Sequence, residues 1–202
     1  MKRLLTIAAL AMGCVTPSLA FDAATETVIA THKAGKPISI SDVAVLMRSS
    51  ERWCYNQDGF SCDWSDVYLN VTDDGADYEI SNAWDETYDI AFVDKGAFKD
   101  NRYICETGFD WVPSVRASLR SDGSTLGGRV LATLKSEIAE VISQSADELS
   151  CFDYLWSGSN AAQQTVTLVQ RQYVNGTYDE SRDTPVTLHF DPETAAKLTW
   201  RW

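Results

Sequence analysis

The sequence predicts an α+β fold, an antiparallel sheet packed against two main helices and stabilised by disulfides. Three observations carry this. Apolar residues alternate with period two between Trp64 and Phe92, and they recur at a helical period between Val130 and Ile142. Four cysteines remain once the first twenty residues are set aside. The 202 residues, 45% apolar and 23% charged, suit a single domain with one core.

Lys2 and Arg3 precede an apolar stretch from Leu4 to Met12, and Ser18-Leu19-Ala20 offers a small–x–small cleavage site. Residues 1–20 therefore read as a signal peptide, and 21–202 as one secreted domain exported to the periplasm or extracellular space. The apolar stretch is about half the ~20 residues a spanning helix needs, and no transmembrane segment is expected later in the chain. Cys14 also ends an apolar run, so lipid anchoring at Cys14 is the alternative. Against it, Ala11 stands where lipoprotein signals usually carry a branched aliphatic residue.

The segment 21–37 is weakly patterned and reads as a short strand and a loop. Ser39 or Ser41 caps a helix running to about Trp53, with Val43, Leu46, Met47 and Trp53 on its apolar side. Residues 54–62 read as a loop. Val67, Leu69 and Val71 then alternate with Asp66, Tyr68 and Asn70, and Asp73-Asp74-Gly75 marks a turn. Tyr78 and Ile80, and later Tyr88, Ile90 and Phe92, continue the alternation, giving a three-strand meander with one apolar and one wet face. Extended pieces follow at 103–106 and 115–120. The clearest helix buries Val130, Leu131, Leu134, Ile138, Val141 and Ile142 on one side. Strands follow at 165–174 and 184–190, and Asp191 caps a short last helix opened by Pro192.

Cys54, Cys62, Cys105 and Cys151 form an even set, as expected of an oxidising compartment. They allow three pairings. Cys54–Cys62 is favoured because the short loop between them contains Gly59, which leaves Cys105–Cys151. Neither the C-x-x-C of redox catalysis nor the paired cysteines or histidines of a zinc site are present.

Lys and Arg number 17 against 29 Asp and Glu, a net charge of −12. Nucleic acid is thereby a poor partner, since phosphate affinity needs basic residues. The acidity is local. Between Arg52 and Lys95 no basic residue occurs, yet Asp58, Asp63, Asp66, Asp73, Asp74, Asp77, Glu79, Asp85, Glu86, Asp89 and Asp94 do. One reading of this window is a Ca²⁺ site on Asp73, Asp74 and Asp77 around the Gly75 turn, since hard oxygen ligands suit Ca²⁺ outside the cell. A docking face for a cationic protein is another. The plainer reading is the solvated face of the meander, which explains Asp66, Asp77, Glu79 and Asp89 by alternation alone.

Seven tryptophans stand out. Trp53, Trp64 and Trp156 lie near the proposed disulfides, where packing on the bridge is the ordinary role. Trp111, Trp200 and Trp202 are the candidates for stacking on a glycan ligand. His32 and His189 read as surface residues, His189 because it alternates with Val186, Leu188 and Phe190. Gly123-Ser124-Thr125-Leu126-Gly127 has threonine where a nucleophilic serine belongs and lacks the lysine of a phosphate loop. No catalytic residue is assigned, although hydrolysis by paired carboxylates needs only two acids in one pocket. Glu86, Glu106 and Glu137 are candidates that the sequence does not rank. Leu198, Trp200 and Trp202 alternate at the C-terminus like the last strand of an outer-membrane barrel, a reading opposed by the 130–142 helix and the cysteines. The expectation is an exported domain with a binding or structural role rather than an enzyme. The alternative is a secreted carboxylate-dependent hydrolase acting on a glycan.

Overall fold

The computed structural model describes residues 20–108, 111–143 and 148–202. The signal-peptide and Cys14 readings fall outside them. The helices are α1 (Ala23–Thr31), α2 (Ile40–Ser49), α3 (Gly128–Ser143) and α4 (Pro192–Ala195). The strands are β1 (Arg52–Tyr55), β2 (Ser61–Cys62), β3 (Trp64–Val71), β4 (Gly75–Ala83), β5 (Tyr88–Lys99), β6 (Tyr103–Glu106), β7 (Arg116–Leu119), β8 (Ser150–Asn160), β9 (Thr165–Val174), β10 (Thr177–Tyr178), β11 (Thr184–His189) and β12 (Thr199–Trp200).

The α+β expectation is overturned because the sheet closes on itself. Strands β1, β3, β4, β5, β6, β8, β9 and β11 pair antiparallel in chain order, and β11 returns to pair with β1 through Arg52↔His189 to Tyr55↔Val186. The result is a closed eight-stranded up-and-down barrel with β7 added to β5 and β10 added to β9. Closure satisfies the backbone donors and acceptors that an open sheet leaves on its edges. Bulges between Tyr68 and Asn70 and between Trp156 and Gly158 bend β3 and β8 around it. Gly75 and Gly96 lie at a close approach of β4 and β5, where a Cβ on Gly75 would collide with the Gly96 carbonyl oxygen.

Two local expectations fail at the N-terminal side. The segment 21–37 holds α1, whose first turn is capped by Asp22 accepting from the Ala24 and Thr25 amides. The next helix starts at its Ser39 cap as expected but stops at Ser49. Ser50 bonds back to the Leu46 carbonyl and accepts the Trp53 indole N–H at 2.7 Å. Trp53 thus enters the barrel on β1 instead of extending α2. Both disulfides form with the expected pairing, Cys54–Cys62 and Cys105–Cys151.

Side chains fill the α2 side of the interior. Val43, Leu46 and Met47 of α2 pack with Trp53, Trp156, Val166, Leu168 and Leu188 in one buried cluster. The α1–α2 connection runs along β8, with Ile38 N–H donating to the Tyr154 carbonyl at 3.0 Å and Trp156 N–H to that of Lys36 at 2.9 Å. Farther along, α3 lays Leu134 and Ile138 on Ile90, Phe92, Val115 and Ala117. Val130 and Val141, expected on the apolar side of that helix, are exposed.

The outward faces of the barrel strands carry ion pairs. Asp153, fully buried on β8, is held by Arg102 at 2.6 Å and by Arg171 at 2.6 and 2.7 Å. Arg116 pairs with Glu79, and Arg120 with Asp89 at 3.4 Å. These ion pairs lie where a barrel facing lipid carries an apolar band. The C-terminal alternation is also not a barrel strand: Thr199–Trp200 pairs parallel with Ser61–Cys62 outside it, and Leu198 and Trp200 cover the Cys54–Cys62 bridge. No helix among the described residues is long and apolar enough to cross a membrane.

Candidate functional site

The half of the barrel away from α1 and α2 contains a cavity of about 320 Å³, within the range of small-molecule pockets. The same half of each strand supplies its wall. Tyr55 comes from β1, Trp64, Asp66 and Tyr68 from β3, and Tyr78, Ile80 and Asn82 from β4. Phe92 on β5, Ile104 and Glu106 on β6, Phe152 and Tyr154 on β8, and Gln170 and Gln172 on β9 complete the circuit, with Thr184, Arg182 and Asp63 also on the wall. An eight-stranded barrel is just wide enough to be filled by side chains or to hold one small ligand. This one does the first at the helical end and leaves room for the second at the other.

The wall carries acids, one of them buried. Asp66 is 5% exposed. Its Oδ2 accepts the Tyr55 hydroxyl at 2.6 Å, while its Oδ1 has no hydrogen-bond partner. Burial pushes the Asp66 carboxyl up to about 7, opposed by the Tyr55 hydrogen bond and reinforced by the charge of Asp94. Burial, followed by the charge of Asp94, likewise pushes Glu106 up to about 7 against hydrogen bonds from Ser150. Asp94 is buried on β5 opposite Tyr78. Burial keeps the hydroxyls of Tyr55, Tyr68, Tyr78 and Tyr154 protonated, raising each above the ordinary phenol range.

Polar contacts fix the wall. Gln170 donates to the Tyr154 hydroxyl at 3.2 Å and Gln172 to the Ser150 hydroxyl at 3.1 Å. The ring of Trp64 stacks on Tyr55 with centroids 4.6 Å apart. Asn82 spends its amide N–H on the Ala83 carbonyl at 3.3 Å, and its Oδ1 has no partner. A buried polar atom without a partner costs about 1–3 kcal/mol. Two such atoms share this cavity wall, while Asp89 Oδ1, Asp183 Oδ1 and His189 Nδ1 are the others found elsewhere among the described residues.

The sequence placed Asp66 on the wrong face. It grouped Asp66 with the solvated side of β3 and Val67 and Leu69 with the core, whereas Asp66 lines the cavity and Leu69 is 54% exposed. The available signal was aromatic: Asp66 alternates with Trp64 and Tyr68, and rings on an inward face outweigh one carboxylate. For Asp77, Glu79 and Asp89 the solvated reading fits better, since each meets a surface base, Lys95 at 4.0 Å, Arg116 and Arg120 respectively. Of the three glutamates left unranked, Glu106 lines the cavity.

The other expected site residues lie apart from the cavity. Asp73 and Asp74 sit on the exposed β3–β4 turn and Asp77 beside Lys95. Among the described residues no group of three or more His, Cys, Asp or Glu side chains is gathered as a metal ion requires. Trp111 stacks on Phe92 with centroids 3.9 Å apart, and Trp200 donates to the Ser65 hydroxyl at 3.0 Å. Trp202 is 69% exposed. Trp53 and Trp156 fill the barrel instead of covering a disulfide. His32 stacks on Trp156 and meets Asp42 at 3.0 Å.

His189 points away from the barrel interior as expected but is buried beneath Gln57, whose Oε1 lies 2.9 Å from Nε2. It lies in a larger, shallower hollow of about 670 Å³ on the outside, lined by Gln57, Gln163, Thr165, Thr187 and neighbours. That hollow lacks the enclosing aromatic wall and paired acids of the interior cavity. Comparison with protein-family models, with curated proteins and with solved structures finds no match to this chain. The interior cavity therefore carries the functional argument by its own chemistry.

Proposed function

We propose that the barrel is an exported binding protein that holds one small organic molecule in the cavity lined by Asp66 and Glu106. The observation that carries this reading is Asp66, buried with Oδ1 unpaired on the wall of that cavity. A barrel with only a structural role gains nothing from such a group, because burying it unpaired opposes folding. The two disulfides fit folding in an oxidising compartment, and the basic and apolar start of the chain supplies the export signal. The mature protein should accordingly begin at Phe21. Intact-mass measurement of the exported chain checks this, and a lipidated Cys14 at its N-terminus would establish the anchored alternative.

Cavity binding is tested with N-phenyl-1-naphthylamine, a neutral dye that fluoresces on entering an apolar site. Uptake of one dye per chain is expected, weakened about tenfold by Gln172→Trp, which overfills the wall at the cost of about 1–3 kcal/mol. No uptake, or uptake indifferent to that substitution, would sink the reading.

A second reading is favoured by the same two acids. Asp66 and Glu106, each with a carboxyl raised to about 7, resemble the proton donor of a glycan hydrolase. Release of nitrophenol from nitrophenyl glycosides, abolished by Glu106→Gln or Asp66→Asn, would establish hydrolysis in place of simple binding.

A further inference from the structure

Resting on the reading of the barrel as a ligand cavity, we infer that its occupant is an organic cation, an amine or quaternary ammonium about the size of one substituted aromatic ring. Its charge lies beside Asp66 and Glu106, and its apolar body against Tyr55, Trp64 and Phe152.

The direction of the unmet hydrogen bonds is the first argument. The two unpartnered buried atoms on the wall, Asp66 Oδ1 and Asn82 Oδ1, are both acceptors. The Asn82 amide nitrogen already donates to the Ala83 carbonyl, which fixes its oxygen as the spare group. A ligand that completes this wall brings donors. The second argument is charge. Asp66 and Asp94 are buried and Glu106 is half-buried on the same cavity wall as Asp66, with Asp94 close enough to act on both. Arg182 is the basic residue on the cavity wall, and it is exposed and directed to Asp179 at 3.8 Å. An anionic guest would meet this field unfavourably, whereas a cation relieves it.

The third argument is the rings. Aromatic faces attract a cation within about 6 Å of the centroid, more strongly where water is excluded. Tyr55 and Trp64, stacked on each other, and Phe152 across the barrel supply such faces. A bare metal ion fits less well, because the acids are not gathered into a ligating group among the described residues. An ammonium on an organic skeleton uses the carboxylates and the rings together.

The test is calorimetric titration at pH 8 with benzylammonium and benzyltrimethylammonium against benzyl alcohol and benzoate, probes of one ring that differ in charge. At least one cation is expected to bind one per chain, about tenfold or more tighter than benzyl alcohol, with benzoate the weakest. Asp66→Asn should weaken the cation about tenfold and benzyl alcohol by far less. Asparagine still accepts from Tyr55, so the fold is retained, and Glu106→Gln provides an independent variant should the first not fold.

Equal binding of the cations and benzyl alcohol, or cation binding unaffected by both variants, overturns the inference. If N-phenyl-1-naphthylamine enters but neither cation does, the charge assignment falls while the cavity reading stands. If nothing enters, both fall.

Discussion

Between about pH 4 and pH 7 the protein should lose stability as the pH rises, and Asp66→Asn should remove a large part of that loss. The folded chain holds the protons of Asp66 and Glu106 up to about pH 7, against ordinary values of 3.8 and 4.5. Over that interval the unfolded chain binds fewer protons than the folded one, so the free energy of unfolding falls with pH. The contribution is fully present below the unfolded values and lost once the folded values are passed. At about 1.4 kcal/mol per pKa unit, the loss is on the order of 3–4 kcal/mol for each acid. That is a large share of the ~5–15 kcal/mol that typically separates folded from unfolded chains.

Other groups tilt the profile the opposite way. Hydrogen bonds to the Thr25 amide hold the Asp22 cap low, and the Thr194 hydroxyl does the same for Asp191, so their contribution disappears as the pH falls through the acid range. Burial lowers His189 below its ordinary 6.5, which favours the fold as the pH rises towards that value. The difference between wild type and Asp66→Asn cancels these groups. Urea unfolding at half-unit steps from pH 4.5 to 8 measures it. The variant should gain most at pH 8, and parallel curves for the two proteins would sink the account.

Loss of the Cys105–Cys151 bridge should cost about 4 kcal/mol and lower the melting point by roughly 10 °C, from the chain entropy of the loop it closes and the size of the domain. The Cys54–Cys62 bridge closes a far shorter loop and should cost about 2.5 kcal/mol. Beyond loop length, the first bridge sits at the weakest seam of the barrel. Strand β6 has four residues, and its ladder to β8 consists of Ile104↔Phe152 and Cys105↔Cys151. The disulfide staples that second pair directly, beside the Arg102–Asp153 contact. Glu106, next to Cys105, lines the cavity, so the seam and the site loosen together. Thermal melts of Cys105→Ala/Cys151→Ala and Cys54→Ala/Cys62→Ala measure both. A larger drop for the Cys54 pair would contradict the argument.

The two barrel strands that the sequence did not mark, β1 and β8, are the ones that complete the circuit. Strand β1 is short and buried on both sides, with Trp53 and Tyr55 in the barrel and Cys54 beneath Leu198 and Trp200. No alternation survives under those conditions. In β8 the inward Phe152, Tyr154 and Trp156 alternate with Cys151, Asp153 and Leu155. The outward side reads as apolar too, because a disulfide, a buried ion pair and the 35–38 segment cover it.

What the sequence determined by itself was local or covalent. Ser39 and Asp191 begin their helices where capping chemistry puts them. The helical period from Leu131 to Ile138 forms α3, the β3–β4–β5 meander follows its period of two, and the four cysteines pair by loop length. The tertiary structure decided the closure of β11 onto β1 and, with it, which side of each strand is inside. Alternation separates two faces without naming the inner one. That choice is made when residues far apart in the chain, Arg52 and His189, come into register. It turns Asp66 from a solvated acid into the buried, half-paired carboxylate on the wall of the cavity.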